Sequence, residues 1–190
     1  ELGVRGALMV RHKLVLTYQD YLQMPDDRNR REILGGDLYV TPAPSPGHQR
    51  AVVNLVMILG NHLAGRGLGK LYVAPVDVIL SQIDVVQPDL AFVRADRLGI
   101  VTRSGIQGAP DLVIEVLSPS TGPVDRGLKM EAYARFGVQE YWIADPDTRT
   151  LEIYRLEGTT YSPVQPVGTP PGPRSLLFPD LTFDLQSVWD

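Results

Sequence analysis

Leu112-Val113-Ile114-Glu115-Val116-Leu117, closed by Ser118-Pro119-Ser120, is the stretch that decides the fold. Its apolar run is almost continuous, the pattern of a strand covered on both faces and therefore of a sheet with helices packed against it. One carboxylate, Glu115, lies inside the run. An ionised carboxylate held in low dielectric is costly unless it is paired or ligates a metal. The same six residues thus predict the centre of a sheet and a chemical site.

Downstream, the pattern predicts a helix over 124–136 stopped by Gly137, then a strand, Glu140-Tyr141-Trp142-Ile143-Ala144. Strand, helix and strand in that order make a βαβ unit, so part of the sheet is expected to be parallel. Asp145-Pro146-Asp147-Thr148 turns the chain into a further strand over 150–156. From Gly158 the chain is rich in Pro and Gly, with scattered short strands expected as far as Phe183. Such a tail wraps its own domain or makes a dimer contact.

Upstream, Thr17-Tyr18-Gln19-Asp20 reads as a capping box opening a short helix that Pro25 closes. Gly35-Gly36 between two β-prone runs over 31–40 predicts a hairpin, with Glu32 near its start. Val52, Leu55, Val56, Leu59 and Leu63 form one stripe of an amphipathic helix over 48–63. Two strands, 71–80 and 85–93, are expected around a turn at 81–84, followed by a polar loop over 94–109.

The bulk properties fit one α/β domain spanning 14–190, preceded by an N-terminal extension, 1–13, of unassigned role. At 190 residues with 44% apolar and 21% charged residues, the chain can bury one sizeable core. Its mean hydropathy is −0.04. Net charge of −4 argues against a broadly basic nucleic-acid face, so any nucleic acid must be handled locally. The absence of cysteine excludes disulfides, Cys-zinc sites and thiol nucleophiles, and suits a reducing, cytoplasmic setting. His12, His48 and His62 leave little for zinc. No long apolar run predicts a membrane span, and 1–13 lacks the pattern of a signal peptide.

Glu115 needs a partner. Asp89, in Gln87-Pro88-Asp89-Leu90-Ala91-Phe92-Val93, likewise leads an apolar strand. Two converging carboxylates repel unless a cation lies between them, and a hard divalent ion such as Mg²⁺ suits oxygen ligands. Lys129, one of three lysines, sits on the helix after the Glu115 strand and can turn back toward it, to stabilise charge on a phosphate or to position a water.

These pieces resemble the Uma family of endonucleases in the PD-(D/E)XK superfamily, over roughly 17–157. The resemblance is carried by Arg31-Glu32-Ile33-Leu34-Gly35-Gly36-Asp37, Gly47-His48-Gln49, Gln87-Pro88-Asp89-Leu90, the run from Asp111 to Thr121, Asp125-Arg126-Gly127-Leu128-Lys129 and Phe136-Gly137-Val138-Gln139-Glu140-Tyr141-Trp142. It implies a restriction-endonuclease-like fold, a mixed β-sheet core flanked by helices with an N-terminal hairpin. It further implies Mg²⁺, with Mn²⁺ able to substitute, held by Asp89, Glu115 and the Val116 carbonyl, with Glu32 in support. The superfamily pattern places Lys two residues after the Glu, where this chain has Leu117; the resemblance implies that Lys129 fills that space. DNA is the implied substrate and a homodimer the implied assembly.

Other readings stay open at this level. Glu115 could instead pair with Arg126, and Lys129 could lay its stem over apolar surface with its head in water. His48, Ser118 and Ser120 could contact substrate or serve only as caps. A nuclease-fold binding or assembly module with silent acids, and a phosphoesterase acting on a small molecule, are the alternatives to a DNA endonuclease.

Overall fold

The computed structural model describes residues 14–25, 29–164 and 174–190. The 1–13 extension and part of the Pro- and Gly-rich tail, 165–173, lie outside them. In chain order the elements are α1 (Tyr18–Tyr21), β1 (Arg30–Leu34), β2 (Asp37–Thr41), α2 (Pro46–Leu63), β3 (Gly69–Val73), β4 (Val78–Ser81), β5 (Asp84–Val86) and β6 (Leu90–Arg94). A 3₁₀ turn and the small strands β7 (Val101–Thr102) and β8 (Gly105–Gln107) lead to β9 (Leu112–Val116). Then come α3 (Gly122–Val124), a π-helical turn (Asp125–Lys129), α4 (Met130–Phe136), β10 (Glu140–Asp145), β11 (Thr150–Glu157) and β12 (Thr160–Pro163).

The strands form two six-stranded sheets, ordered β12-β11-β10-β9-β6-β3 and β2-β1-β5-β4-β8-β7. The quoted stretch is β9, central and wholly buried, and it pairs in parallel with β10 as the βαβ reading requires. The expected strands 71–80 and 85–93 are each two strands, one in either sheet. Pro75 and Pro88 stand at the breaks; without an N–H, proline cannot continue a ladder, and the chain crosses to the other sheet there. The expected loop over 94–109 likewise carries β7 and β8.

Pleating places alternate residues of β9 on opposite faces. Leu112, Ile114 and Val116 pack with Leu55 and Leu59 of α2 and with Trp142, Phe178 and Val188. Val113 and Leu117 face the other way, into a second core with Tyr133, Tyr141, Val78 and Ile106. Glu115 shares that second face. The first sheet therefore has α2 on one side, and α4 with the second sheet on the other.

Local signals account for the ends. Gly35 and Gly36 adopt φ of 57° and 80°, the paired positive angles of a tight hairpin turn, and β1 and β2 pair from Arg30↔Thr41 to Leu34↔Asp37. Ser45 caps α2 by accepting from the His48 N–H. Gly137, at φ 89°, ends α4 in the left-handed conformation.

The described part of the tail, 174–190, docks on α2 and β10. Asn54 of α2 donates to the carbonyls of Val188 and Asp190. Buried Glu140 accepts from Trp142 Nε1 at 2.6 Å, Ser175 Oγ at 2.7 Å and the N–H groups of Leu176 and Leu177. Glu140→Gln keeps the volume but presents an amide donor to a set of donors. The expected result is a loss of about 2 kcal/mol, read by denaturant unfolding, with earlier hydrogen exchange at 175–178 than elsewhere; uniform exchange would show that the clamp does not hold the tail.

Candidate active site

Sheet register brings the two predicted acids together. Leu90 of β6 pairs antiparallel with Ile114 of β9, so Asp89, one residue before β6, falls beside Glu115 and on the same face. Its Oδ2 accepts from the Val116 N–H at 2.8 Å. From the opposite direction the π-helical turn delivers Lys129. Such turns are rare and recur at functional positions because the extra residue re-aims a side chain.

Lys129 is 2% exposed. Its Nζ lies 2.9 Å from Glu32 Oε1, 3.0 Å from Glu115 Oε1 and 3.3 Å from Asp125 Oδ1. This corrects the alternative that its head reaches water. The pairing of Glu115 with Arg126 is also overturned: Arg126 forms a two-pronged bond to Glu152 of β11. Burial works against the lysine's charge, yet Glu115, Glu32 and Asp125 hold its pKa well above the ordinary value.

Glu32 lies in the middle of β1, buried, where it accepts from the Gln87 N–H at 2.7 Å. It sits behind Lys129 rather than on the cavity that Asp89, Glu115 and Lys129 share. That cavity, about 330 Å³, is lined by Arg30, His48, Asp89, Glu115, Val116, Ser118, Ser120 and Lys129 among others. All three implied metal ligands and all three implied substrate contacts thus reach it. Ser118 and Ser120 hydroxyls lie 3.1 Å apart, and Ser118 also meets Thr121 Oγ1 at 3.0 Å. His48, near the start of α2, places Nε2 3.2 Å from Asp89 Oδ2.

Three members of the cluster have no role in the sequence reading. Tyr133, one helical turn beyond Lys129, donates from its OH to Glu115 Oε1 at 2.7 Å. Asp125 lies one turn before Lys129. Arg30 donates to Asp89 Oδ1 at 2.9 Å and to the Gln87 carbonyl, and its Nη2 is 3.5 Å from Glu115 Oε2. Period-two spacing of Arg30 with Glu32 on one strand face, and four-residue spacing of Asp125, Lys129 and Tyr133, were the signals available.

Four carboxylates, Glu32, Asp89, Glu115 and Asp125, face two permanent cations. Burial and that surplus of negative charge together raise two of them, Glu115 and Asp125. Burial pushes the Glu115 carboxyl up to about 8, with Asp125 and Asp89 adding to the rise and Lys129 opposing it. Burial also raises Asp125, partly offset by Lys129. Asp89 behaves oppositely: burial disfavours its charge, but the hydrogen bond from His48 and the charge of Arg30 hold it at about 2.

Whether Mg²⁺ fits can be judged from the donor set. Among the described residues no three acid or histidine side chains are gathered into a ready cage. Mg²⁺ does not need one, since it usually takes one or two carboxylates and completes its shell with water and phosphate oxygens. Two carboxylates on a cavity with a local excess of negative charge suit that mode. The chain has no cysteine, and His48 alone supplies an imidazole among the residues lining this cavity, too few donors for thiolate or imidazole-rich chemistry.

The frame and its acid–lysine cluster define the restriction-endonuclease-like class of α/β fold. A crystal structure described as "a putative nuclease belonging to DUF820" from Anabaena variabilis superimposes with a TM-score of 0.74, covering 92% of this chain and 97% of that one at 19% identity. The Uma2 family, described as "Putative restriction endonuclease", matches residues 18–186. An uncharacterized protein of Synechocystis sp. is 30% identical over 146 residues, 73% of either chain. This chain belongs to the Uma2 family.

Proposed function

We propose that the protein is a Mg²⁺-dependent endonuclease that hydrolyses DNA phosphodiester bonds by attack of water. The observation that carries this is the convergence of Asp89, Glu115 and Lys129 on one cavity. Family membership and the likeness of fold support it. Asp89, Glu115 and the Val116 carbonyl would hold the ion. When bound, it would polarise the phosphate and lower the pKa of a coordinated water. Lys129 supplies fixed positive charge next to Glu115, where charge develops during cleavage. Tyr133 and Asp125 orient that pair, and Glu32 acts as a positioning residue behind Lys129. His48, Ser118 and Ser120 present donors from the cavity wall toward a phosphate. The chain's acidic balance restricts recognition to this local set.

The test is cleavage of supercoiled and single-stranded DNA with Mg²⁺ or Mn²⁺ by the native protein. Nicking that depends on the ion supports the reading. Binding without cleavage would favour the assembly-module reading. Duplex cleavage at both strands calls for two such sites, so a homodimer is the expected species in light scattering.

Glu115 makes the stability of the protein depend on pH. Its pKa is raised from 4.5 to about 8, so its protonated form contributes stability that is complete below 4.5 and lost as pH rises through 8. An ion bound to the carboxylate reverses that loss. The Mg²⁺-induced rise in Tm is therefore expected to be larger at about pH 9 than at about pH 5. Equal rises at both would show that Glu115 is not a ligand. Among the described residues no helix is long and apolar enough to cross a membrane.

A further inference from the structure

The oxygens of the two implied ligands are not equally committed. Asp89 Oδ2 is taken by the Val116 N–H at 2.8 Å and by His48 Nε2 at 3.2 Å. Glu115 Oε1 is taken by Lys129 at 3.0 Å and Tyr133 at 2.7 Å. That leaves Asp89 Oδ1 and Glu115 Oε2, and Arg30 bridges both, at 2.9 Å through Nη1 and 3.5 Å through Nη2. A cation binding these carboxylates by their remaining oxygens needs the position that the guanidinium holds.

We propose that Arg30 is a displaceable internal counter-ion: it pairs Asp89 with Glu115, yields that position to the divalent ion, and carries its guanidinium to a phosphate of the bound strand. This rests on the metal-dependent reading above. The two cations of the cluster differ in how firmly they are held. Lys129 is enclosed by three acids and 2% exposed. Arg30 also meets three acids, Asp89 at 2.9 Å, Glu115 at 3.5 Å and Glu32 at 3.8 Å, and bonds the Gln87 carbonyl, but its side chain is 22% exposed and its buried Nε has no hydrogen-bond partner among the described residues. A second cavity, about 490 Å³, opens on its other flank and shares Arg30, His48 and Asp89 as a wall, so the side chain has space to swing. Retaining a full positive charge beside a bound divalent ion is strongly unfavourable at such distances. The planar guanidinium fork matches a phosphate as well as a carboxylate, which gives the displaced group a destination.

The experiment is calorimetric titration of the full chain with Mg²⁺ alone and Mn²⁺ alone, comparing native protein, Arg30→Met and Arg30→Lys. Removing the competing charge is expected to tighten ion binding about 10-fold or more in Arg30→Met, while DNA cleavage falls. Arg30→Lys, which keeps the charge but loses the fork, should show a smaller gain. In the native protein, the guanidinium ¹⁵N resonances of Arg30 should shift with the same midpoint as ion binding, a readout that does not depend on any variant folding. A native protein that binds the ion while Arg30→Met binds it equally or more weakly overturns the counter-ion proposal and leaves the metal reading intact. If no protein binds either ion, both readings fall.

Discussion

Lys129→Met is expected to lower stability by about 3–5 kcal/mol, the usual result of removing one partner from a buried ionic cluster. At about 2–4 °C per kcal/mol for a domain of this size, Tm should fall by about 6–20 °C. Methionine keeps the apolar stem, so little of the effect comes from lost packing. What is lost is the charge that lies within 3.3 Å of Glu32, Glu115 and Asp125 at once. Those carboxylates would then stay buried with only Arg30 nearby in compensation, and Glu115 and Asp125, already raised by burial, would rise further above their unfolded pKa values. A group raised in that way contributes stability below its unfolded pKa and loses it as pH rises. The deficit of the variant relative to native protein should therefore shrink near pH 4 and widen near pH 8. Paired thermal melts at the two pH values check this. A deficit independent of pH would show that Lys129 contributes shape rather than charge.

Glu115→Gln is expected to have the opposite profile, with catalysis lost and the fold retained. An amide keeps an oxygen for Lys129 and Tyr133 but removes the negative charge that an ion needs. If the ion contributes several kcal/mol to the transition state, cleavage should fall about 10³-fold or more, at about 1.4 kcal/mol per decade. Stability should not fall with it. Burial already pushes Glu115 toward its neutral form, up to about 8, and glutamine imitates that form. The variant should match or exceed native Tm above pH 8 in the absence of ion, the trade of stability for function common at active sites. Single-turnover cleavage and thermal melting on the same preparation give both numbers. Retained cleavage in a folded Glu115→Gln protein would remove Glu115 from the reaction.

Much of this frame was legible in the chain itself. The nearly unbroken apolar run of β9, the Gly35-Gly36 turn, the stripe of α2 and the Gly137 stop are local signals, set within a few residues by backbone preference and periodicity. Glu115 was legible for a similar reason, because a charge in such a run is conspicuous whatever surrounds it. Asp89 and Lys129 were legible only in combination with it. Arg30, Tyr133 and Asp125 were not assigned, because each looks ordinary on its own element.

The amino-acid sequence by itself determined that β9 is a central strand, that a helix returns from it to a parallel neighbour, and that a carboxylate sits at the middle of the arrangement. Only the tertiary structure decided that the strands divide between two sheets at Pro75 and Pro88, and that Lys129 lies within a cluster of acids rather than at the surface. The same holds for Glu140 clamping the tail and for Arg30 bridging Asp89 and Glu115. The physical reason is range. Helix period, strand alternation and turn chemistry act over neighbouring residues, whereas the partner of a buried charge is chosen by sheet register and by the desolvation of groups far apart in the chain, here 59 positions between Arg30 and Asp89.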